Sequence, residues 1–233
     1  MPTFDIQDVS HAFGERLVLN GVTTTLTEKR IAIIGPNGGG KSTFARLLNG
    51  LVSPTHGRVL LNGQDIADKA TKVRTAVGFV FPDADNQIIM PTVREDLAFS
   101  LRRSGLSSAD INRSVDSALA QIGLDNHADA SPYTLSGGQK QMLALSAVLI
   151  AHPATVVADE PTTLLDLRNA AAIRRRLMGL EQQLITVTHD MDLARRADRV
   201  IRIENGRIAD DGPAATVIDT YIADMLHTPA TDQ

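Results

Sequence analysis

The 233-residue sequence has no cysteine, no tryptophan, and only 6 Phe and 2 Tyr. Without thiols there is no disulfide, no thiol nucleophile and no thiolate metal site, which suits a reducing compartment. So few aromatic rings leave little material for a base-stacking platform. A basic excess is also missing: 23 Lys and Arg stand against 27 Asp and Glu, for a net charge of −4. No nucleic-acid partner is expected from that balance. Long apolar runs are absent as well. Stretches such as Ile31–Ile34 are strand-length, far short of the roughly 20 residues of a membrane-spanning helix. The start, Met1-Pro-Thr-Phe-Asp5, has no basic segment leading into an apolar run, so no secretory signal is expected. These absences predict a soluble, cytoplasmic protein. What is present is enough hydrophobic residue, 43%, to bury a substantial core.

The order of patterns predicts an α/β chain with a helical insertion. Phe4–Ile6, Leu17–Leu19 and the Thr-rich Val22–Leu26 read as short strands of an antiparallel sheet. Ile31–Ile34 is continuously apolar, the pattern of a strand covered on both faces. It runs into a glycine-rich turn, and Thr43–Asn49 follows as a helix with Phe44, Leu47 and Leu48 on one stripe. Arg58–Leu61 before Asn62-Gly63 predicts a strand entering a hairpin, and Ala76–Phe81 another strand. Between Pro82 and Pro153 strand patterns stop. Helices are predicted from Thr92 through Leu101, over Ser108–Ile122 and over Ser136–Ile150. Strands return at Thr155–Ala158 and Leu184–Val187 around a helix from Leu167 to Leu180, a parallel βαβ unit. A hairpin over Arg199–Ile208 and a helix over Pro213–Met225 close the chain. The predicted division is a core of residues 1–81 and 154–226, an inserted helical subdomain 82–153, and a frayed polar tail 227–233.

The residues Gly35-Pro36-Asn37-Gly38-Gly39-Gly40-Lys41-Ser42, followed by Thr43, fit the pattern G-x-x-x-x-G-K-[ST] between a buried strand and a helix. Glycines let successive N–H groups curl around phosphate oxygens, and the helix start adds its positive end. Lys41 is placed to reach the β- and γ-phosphates and Ser42 to ligate Mg²⁺. Val156-Val-Ala-Asp159-Glu160 supplies two acids at a strand end, Asp159 for the metal and Glu160 to polarise the attacking water. Together these residues describe phosphoryl transfer from ATP to water. Leu135-Ser136-Gly137-Gly138-Gln139 is a capping box opening an apolar helix. Two glycines in that first turn cost roughly 1 kcal/mol each, which makes sense if a phosphate approaches the bare helix start.

The Leu-Ser-Gly-Gly-Gln run, lying between the phosphate loop and the paired acids, resembles the ATP-binding subunit of ABC transporters over essentially the whole chain. The resemblance implies a P-loop NTPase (RecA-like) core, an antiparallel N-terminal subdomain and a helical subdomain. It also implies a head-to-tail dimer in which Ser136–Gln139 of one ATPase subunit cover the γ-phosphate held by Lys41 of the other. Asp166 then resembles the loop residue that crosses the dimer interface, His189 the histidine that senses γ-phosphate, and Phe13 the aromatic that stacks on adenine. Phe79–Gln87 and Thr92–Phe99 look like the energy-coupling factor group. In that group the ATPase lies on the inner face of the membrane and drives a transmembrane coupling protein and a substrate-binding membrane protein. Glu160–Asn169 looks most like the biotin-importing members, with cobalt, nickel or another vitamin left open. A soluble ABC ATPase of DNA repair or translation is disfavoured by the absence of long insertions and of a basic excess.

Two departures from the family pattern stand out. Gly39 replaces the usual Ser, and Pro82 occupies the position of the usual glutamine that links Mg²⁺ to the membrane partner. Gln87, five residues on, is the expected substitute for that link. The partner groove is expected near Pro82–Pro91, with Asp83 and Asp85 beside the apolar trio Ile88–Met90.

Overall fold

The computed structural model describes residues 1–227, apart from the side chains of 69–71 and 227. Along the chain run β1 (Phe4–Phe13), β2 (Arg16–Leu26), β3 (Arg30–Ile34), α1 (Lys41–Leu48), β4 (His56–Leu61) and β5 (Gln64–Asp65). Then come α2 (Ala70–Ala76), β6 (Val77–Val80), α3 (Val93–Ser100), α4 (Ser108–Ile122), α5 (Gly137–Leu149) and β7 (Thr155–Asp159). The last elements are α6 (Leu167–Met178), β8 (Gln183–Val187), α7 (Met191–Ala194), β9 (Arg199–Glu204), β10 (Arg207–Gly212) and α8 (Ala214–His227). The frayed tail expected over 227–233 lies outside the described residues except for His227, which ends α8.

Two sheets organise these elements. Four strands in the order β2-β1-β4-β5 pair antiparallel, and six in the order β10-β9-β3-β8-β7-β6 form a sheet that is parallel except for β10. All five residues of β3, β7 and β8 are buried, as continuous apolar runs demand when helices cover both faces. One correction concerns the start of the chain. Three short strands were expected there, but two strands of 10 and 11 residues form. Polar residues break their alternation because the ladder shifts register around Asp8, which sits at φ 49°, while Gly21 on β2 sits at φ 63°. The helix α2 and the short α7 were not foreseen, and α1 begins at Lys41 rather than Thr43.

The largest apolar cluster lies between the two sheets and α1. There Phe44, Leu47 and Leu48 meet Phe4, Ile6, Leu19, Ile33 and Ile201. Each such side chain contributes roughly 2 kcal/mol by leaving water, which fixes α1 over the sheet and aims its first residue at the strand ends. A separate cluster joins α3, α4 and α5 through Val93, Leu97, Val115, Leu119 and Leu143. The helix α5 serves both bodies. Its Leu143 and Ala147 face this helical cluster, while Leu145 packs with Val156, Ile173 and Leu184 of the core. No helix among the described residues is long and apolar enough to cross a membrane.

Candidate active site

The strands β3, β8 and β7 are sheet neighbours, and parallel pairing brings their C-terminal ends level: Ile33 pairs with Val187, and Val187 with Asp159. In parallel α/β sheets this edge is where ligands bind. The loop after β3 turns at Gly35, φ 136°, where a side chain would overlap the Ile203 carbonyl. Gly39 is also closely packed. A carbon added there would lie 3.0 Å from Ile203 O and 3.1 Å from Pro36 O, so a serine would fit only if the loop shifted. Here β9 presses against the loop.

The loop delivers α1 with a glycine at its N-cap, no side-chain acceptor and no acid in the first turn. Its orphan N–H groups and positive end are therefore left for an anion. Lys41 is buried and donates to Gly35 O and Pro36 O, both at 2.9 Å. Burial lowers its pKa, while the charges of Glu160 and Asp159 oppose the shift.

Asp159 is completely buried, and its Oδ1 accepts the Ser42 hydroxyl at 2.9 Å. Its Oδ2 has no hydrogen bond; Arg46 Nη2 stands 3.8 Å away. Burial raises this carboxyl's pKa, with the Ser42 hydrogen bond and Arg46 pulling the other way. A buried carboxylate oxygen without a donor costs free energy unless a cation completes it. One hydroxyl and one carboxylate suit Mg²⁺, which takes few protein oxygens and fills its shell with phosphate and water. Among the described residues no group of three or more His, Cys, Asp or Glu could form an all-protein metal cage.

Glu160 adopts φ 49°, a left-handed conformation held by its N–H to Val187 O at 2.9 Å. Such strain in a residue with a Cβ is a mark of functional sites. Its Oε2 accepts from Thr163 Oγ1 at 2.9 Å and from His189 N at 3.3 Å. Its Oε1 lies 3.2 Å from His189 Nε2 but out of line for a hydrogen bond, so that buried oxygen has no donor. One oxygen orients Glu160 and the other is free to act. The structure thus gathers the 35–43 loop, Asp159, Glu160 and His189 into one place.

It leaves the remaining predicted residues apart. Ser136 and Gly137 are exposed, and Ser136 caps α5, taking the Gln139 N–H at 3.4 Å while its own N–H donates to Gln139 Oε1 at 2.9 Å. Asp166 caps α6 through Asn169 N at 2.8 Å. Among the described residues no hydrogen bond joins either motif to the phosphate loop. Phe13 ends β1 at 53% exposure, its ring edge-on to His11 at 4.5 Å, on the sheet whose β2 runs past Gly40.

Gln87 is a correction. Its Oε1 accepts Phe81 N–H at 3.0 Å and its Nε2 donates to Ala144 O at 2.9 Å. Both ends of the amide are used to pin the loop after β6 onto α5, so Gln87 positions that loop instead of reaching for the nucleotide. Gln141, missed in the sequence because it reads as one more polar helix residue, helps by donating to Phe81 O at 3.3 Å.

Beyond this loop Ile88, Ile89, Met90, Pro91, Pro132 and Tyr133 line a hollow of about 300 Å³. The apolar trio splits: Ile89 is 62% exposed, whereas Ile88 packs on the helical cluster. Asp83 is committed as the cap of the turn, accepting Asp85 N at 2.9 Å. Asp85 pairs with Lys140 at 2.7 Å. Asp96, also missed, is buried in α3 and accepts the N–H groups of Ile89 and Met90 at 3.0 and 3.2 Å, which sets the shape of the hollow's wall.

Comparison with known proteins agrees with this geometry. The family model described as "ABC transporter" matches residues 19–163. The biotin transport ATP-binding protein BioM of Rhizobium etli is 48% identical, over 90% of this chain and 93% of that protein. The energy-coupling factor transporter ATP-binding protein EcfA1 of Halalkalibacterium halodurans is 39% identical, over 87% of this chain and 74% of that protein. Among solved structures, cbiO1 of Clostridium perfringens, part of the ABC transporter complex cbiONQ, superimposes with a TM-score of 0.81 at 28% identity, covering 97% of this chain and 95% of that one. The phosphate loop, the paired acids at the neighbouring strand end and the capped glycine turn of α5 thus have a common explanation: the chain belongs to the ABC transporter family, as one of its ATP-hydrolysing subunits.

Proposed function

We propose that the chain powers an energy-coupling-factor importer and that the cargo is biotin. The observation that carries this reading is the pairing of a phosphate loop and two acids at the ends of β3, β7 and β8 with a separate, half-apolar hollow beside a loop pinned to α5. An engine needs the first, and a membrane partner needs the second. The likeness to a biotin transport subunit supports the choice of cargo.

The residues divide the work as follows. The N–H groups of Gly38 to Thr43 and the Lys41 ammonium bind the phosphates of ATP. Lys41 exchanges two neutral carbonyl partners for anionic oxygens, which offsets its burial. Ser42 and Asp159 would hold Mg²⁺, which would supply positive charge to offset that of the phosphates. Glu160 Oε1 accepts a proton of the attacking water. The water oxygen bonds to the γ-phosphorus as the bond to the β-phosphate oxygen breaks, releasing ADP and phosphate. His189 Nε2, 3.2 Å from Glu160, reports whether the γ-phosphate is present. A second ATPase subunit, head to tail, brings Ser136, Gly137 and Asp166 to this site, and Phe13 stacks on adenine. The hollow beside Ile89 receives the transmembrane coupling protein, which with a substrate-binding membrane protein completes the importer on the inner face of the membrane.

The test is purification from native membranes in mild detergent, followed by labelled-biotin uptake in vesicles supplied with ATP. Two membrane proteins are expected to co-purify, and uptake is expected to stop with Lys41→Ala. A chain that hydrolyses ATP but brings down no membrane protein would sink the importer reading. Uptake of cobalt or nickel in place of biotin would sink the cargo.

A further inference from the structure

Gly138 is buried in the first turn of α5 although Ser136 and Gly137 beside it are exposed. A side-chain carbon on Gly137 would meet nothing within 4 Å. One on Gly138 would overlap Asn169 Cγ and Oδ1 and lie 2.6 Å from its Nδ2. The obstacle is therefore an amide of α6, not an approaching phosphate. Nor is that amide free to swing aside. Its Nδ2 donates to Asp166 Oδ2 at 3.0 Å, and the Asn169 backbone N–H donates to Asp166 Oδ1 at 2.8 Å. Asp166 sits between Leu164 and Leu167, which are 69% and 87% exposed.

We propose that Asn169 is a positioning residue that ties the first turn of α5 to the loop carrying Asp166, so that both present themselves to a second copy of the chain as one rigid unit. This rests on the two-subunit reading above. A partner that presses on Leu164 and Leu167 displaces the Asp166 carboxylate. The displacement passes through two hydrogen bonds to the Asn169 amide, and from there by direct contact to the Gly138 backbone. The glycine at 138 is the seat of that contact, and Gly137 alone keeps the open N-terminal face.

The experiment compares the whole wild-type chain with Asn169→Ala, Asn169→Asp, Gly138→Ala and the double variant Gly138→Ala/Asn169→Ala. The readouts are affinity for a fluorescent ATP analogue, kcat and KM for hydrolysis, ATP-dependent self-association and thermal unfolding. Asn169→Asp keeps the shape of the side chain but puts a carboxylate where Asp166 needs a donor. It and Asn169→Ala are expected to lower kcat about tenfold while nucleotide affinity changes less than about twofold. Gly138→Ala is expected to lose more, and the double variant to do no worse than Asn169→Ala, because the clash has gone. Wild-type kcat in Asn169→Asp overturns the tie. Losses that simply add in the double variant overturn the contact. A wild-type chain that binds ATP yet never self-associates defeats the two-subunit reading instead, and unfolding temperatures of Gly138→Ala and the double variant still decide whether Asn169 is the obstacle.

Discussion

The first turns of α1 and α5 face the same problem, a set of N–H groups without helical partners, and answer it in opposite ways. The helix α1 has glycine before it, no side-chain acceptor and a buried Lys41 at its first position. It forgoes only about a few tenths of a kcal/mol of capping, and its donors remain for an anion within the same chain. In α5 the Ser136–Gln139 box satisfies the turn locally and displays it to solvent. One half of the site is therefore assembled by distant strands and enclosed. The other is a self-sufficient surface element, which on the proposed two-subunit reading acts only when a second chain is brought to it.

The widest gap between the halves is expected on removing the buried charge. Lys41→Ala is expected to reduce ATP hydrolysis on the order of 100- to 1000-fold by withdrawing a preorganised cation from the γ-phosphate, with the fold intact by circular dichroism. Ser136→Glu is expected to be comparably inactive but to bind nucleotide normally, since its charge sits outside the chain's own pocket. Mixing the two inactive chains then tests the division directly. A head-to-tail pair of one each contains one site with both Lys41 and Ser136 native, so activity is expected to return in the mixture. A mixture as inactive as its components would mean that both halves serve the same chain.

The enclosed half was legible in the sequence because its residue types are forced by chemistry. A loop that wraps phosphate needs Gly35 to Gly40, and a strand that ends in two acids reads as Val156 to Glu160. The parallel pairing of β7 and β8 followed from the helix between them, and the burial of β3 from its continuous apolar run, whereas the order of the strands did not. Less legible was whatever depends on a neighbour distant in sequence. Gln87 looked like a free amide until Phe81 and Ala144 claimed both its ends. Gly138 looked like a concession to phosphate until Asn169 filled the space. Asp96 gave no signal, because a buried acid that accepts N–H groups of Ile89 and Met90 looks in sequence like any acid in a helix's first turn. The long β1–β2 ladder was hidden by the register shift at Asp8.

A smaller effect is expected where an exposed apolar surface meets a partner. Ile89→Asp removes an apolar side chain from the hollow and adds a charge. Losing its burial is worth about 2 kcal/mol, or roughly thirtyfold in affinity for the coupling protein. Co-purification yield in detergent measures this, and basal hydrolysis is expected to stay at the wild-type rate. Asp83→Lys is a poorer probe, since it also breaks the cap on Asp85 N. If Ile89→Asp lowers hydrolysis as much as complex yield, the hollow belongs to the nucleotide half and the comparison fails.

The smallest effect sharpens the comparison from the stability side. Burial raises the pKa of the Asp159 carboxyl, against Ser42, Arg46 and Lys41, with Glu160 adding to the rise. A carboxyl whose folded pKa is raised contributes stability that is fully present below its unfolded value and is lost as pH rises through the folded one. When Asp159 ionises, the native chain thus carries a buried charged oxygen with no donor. Asp159→Asn keeps an acceptor for the Ser42 hydroxyl and removes the charge. Thermal unfolding is expected to show the variant more stable than wild type by about 1 kcal/mol at pH values where Asp159 is ionised, with the difference shrinking as pH falls and Asp159 takes up its proton. Mg²⁺ with ATP is expected to reverse the order, because the ligands stabilise only the chain that can hold the cation. A variant that is less stable at every pH would mean that Arg46 already balances the buried charge, and that the enclosed half is not held in wait for a metal.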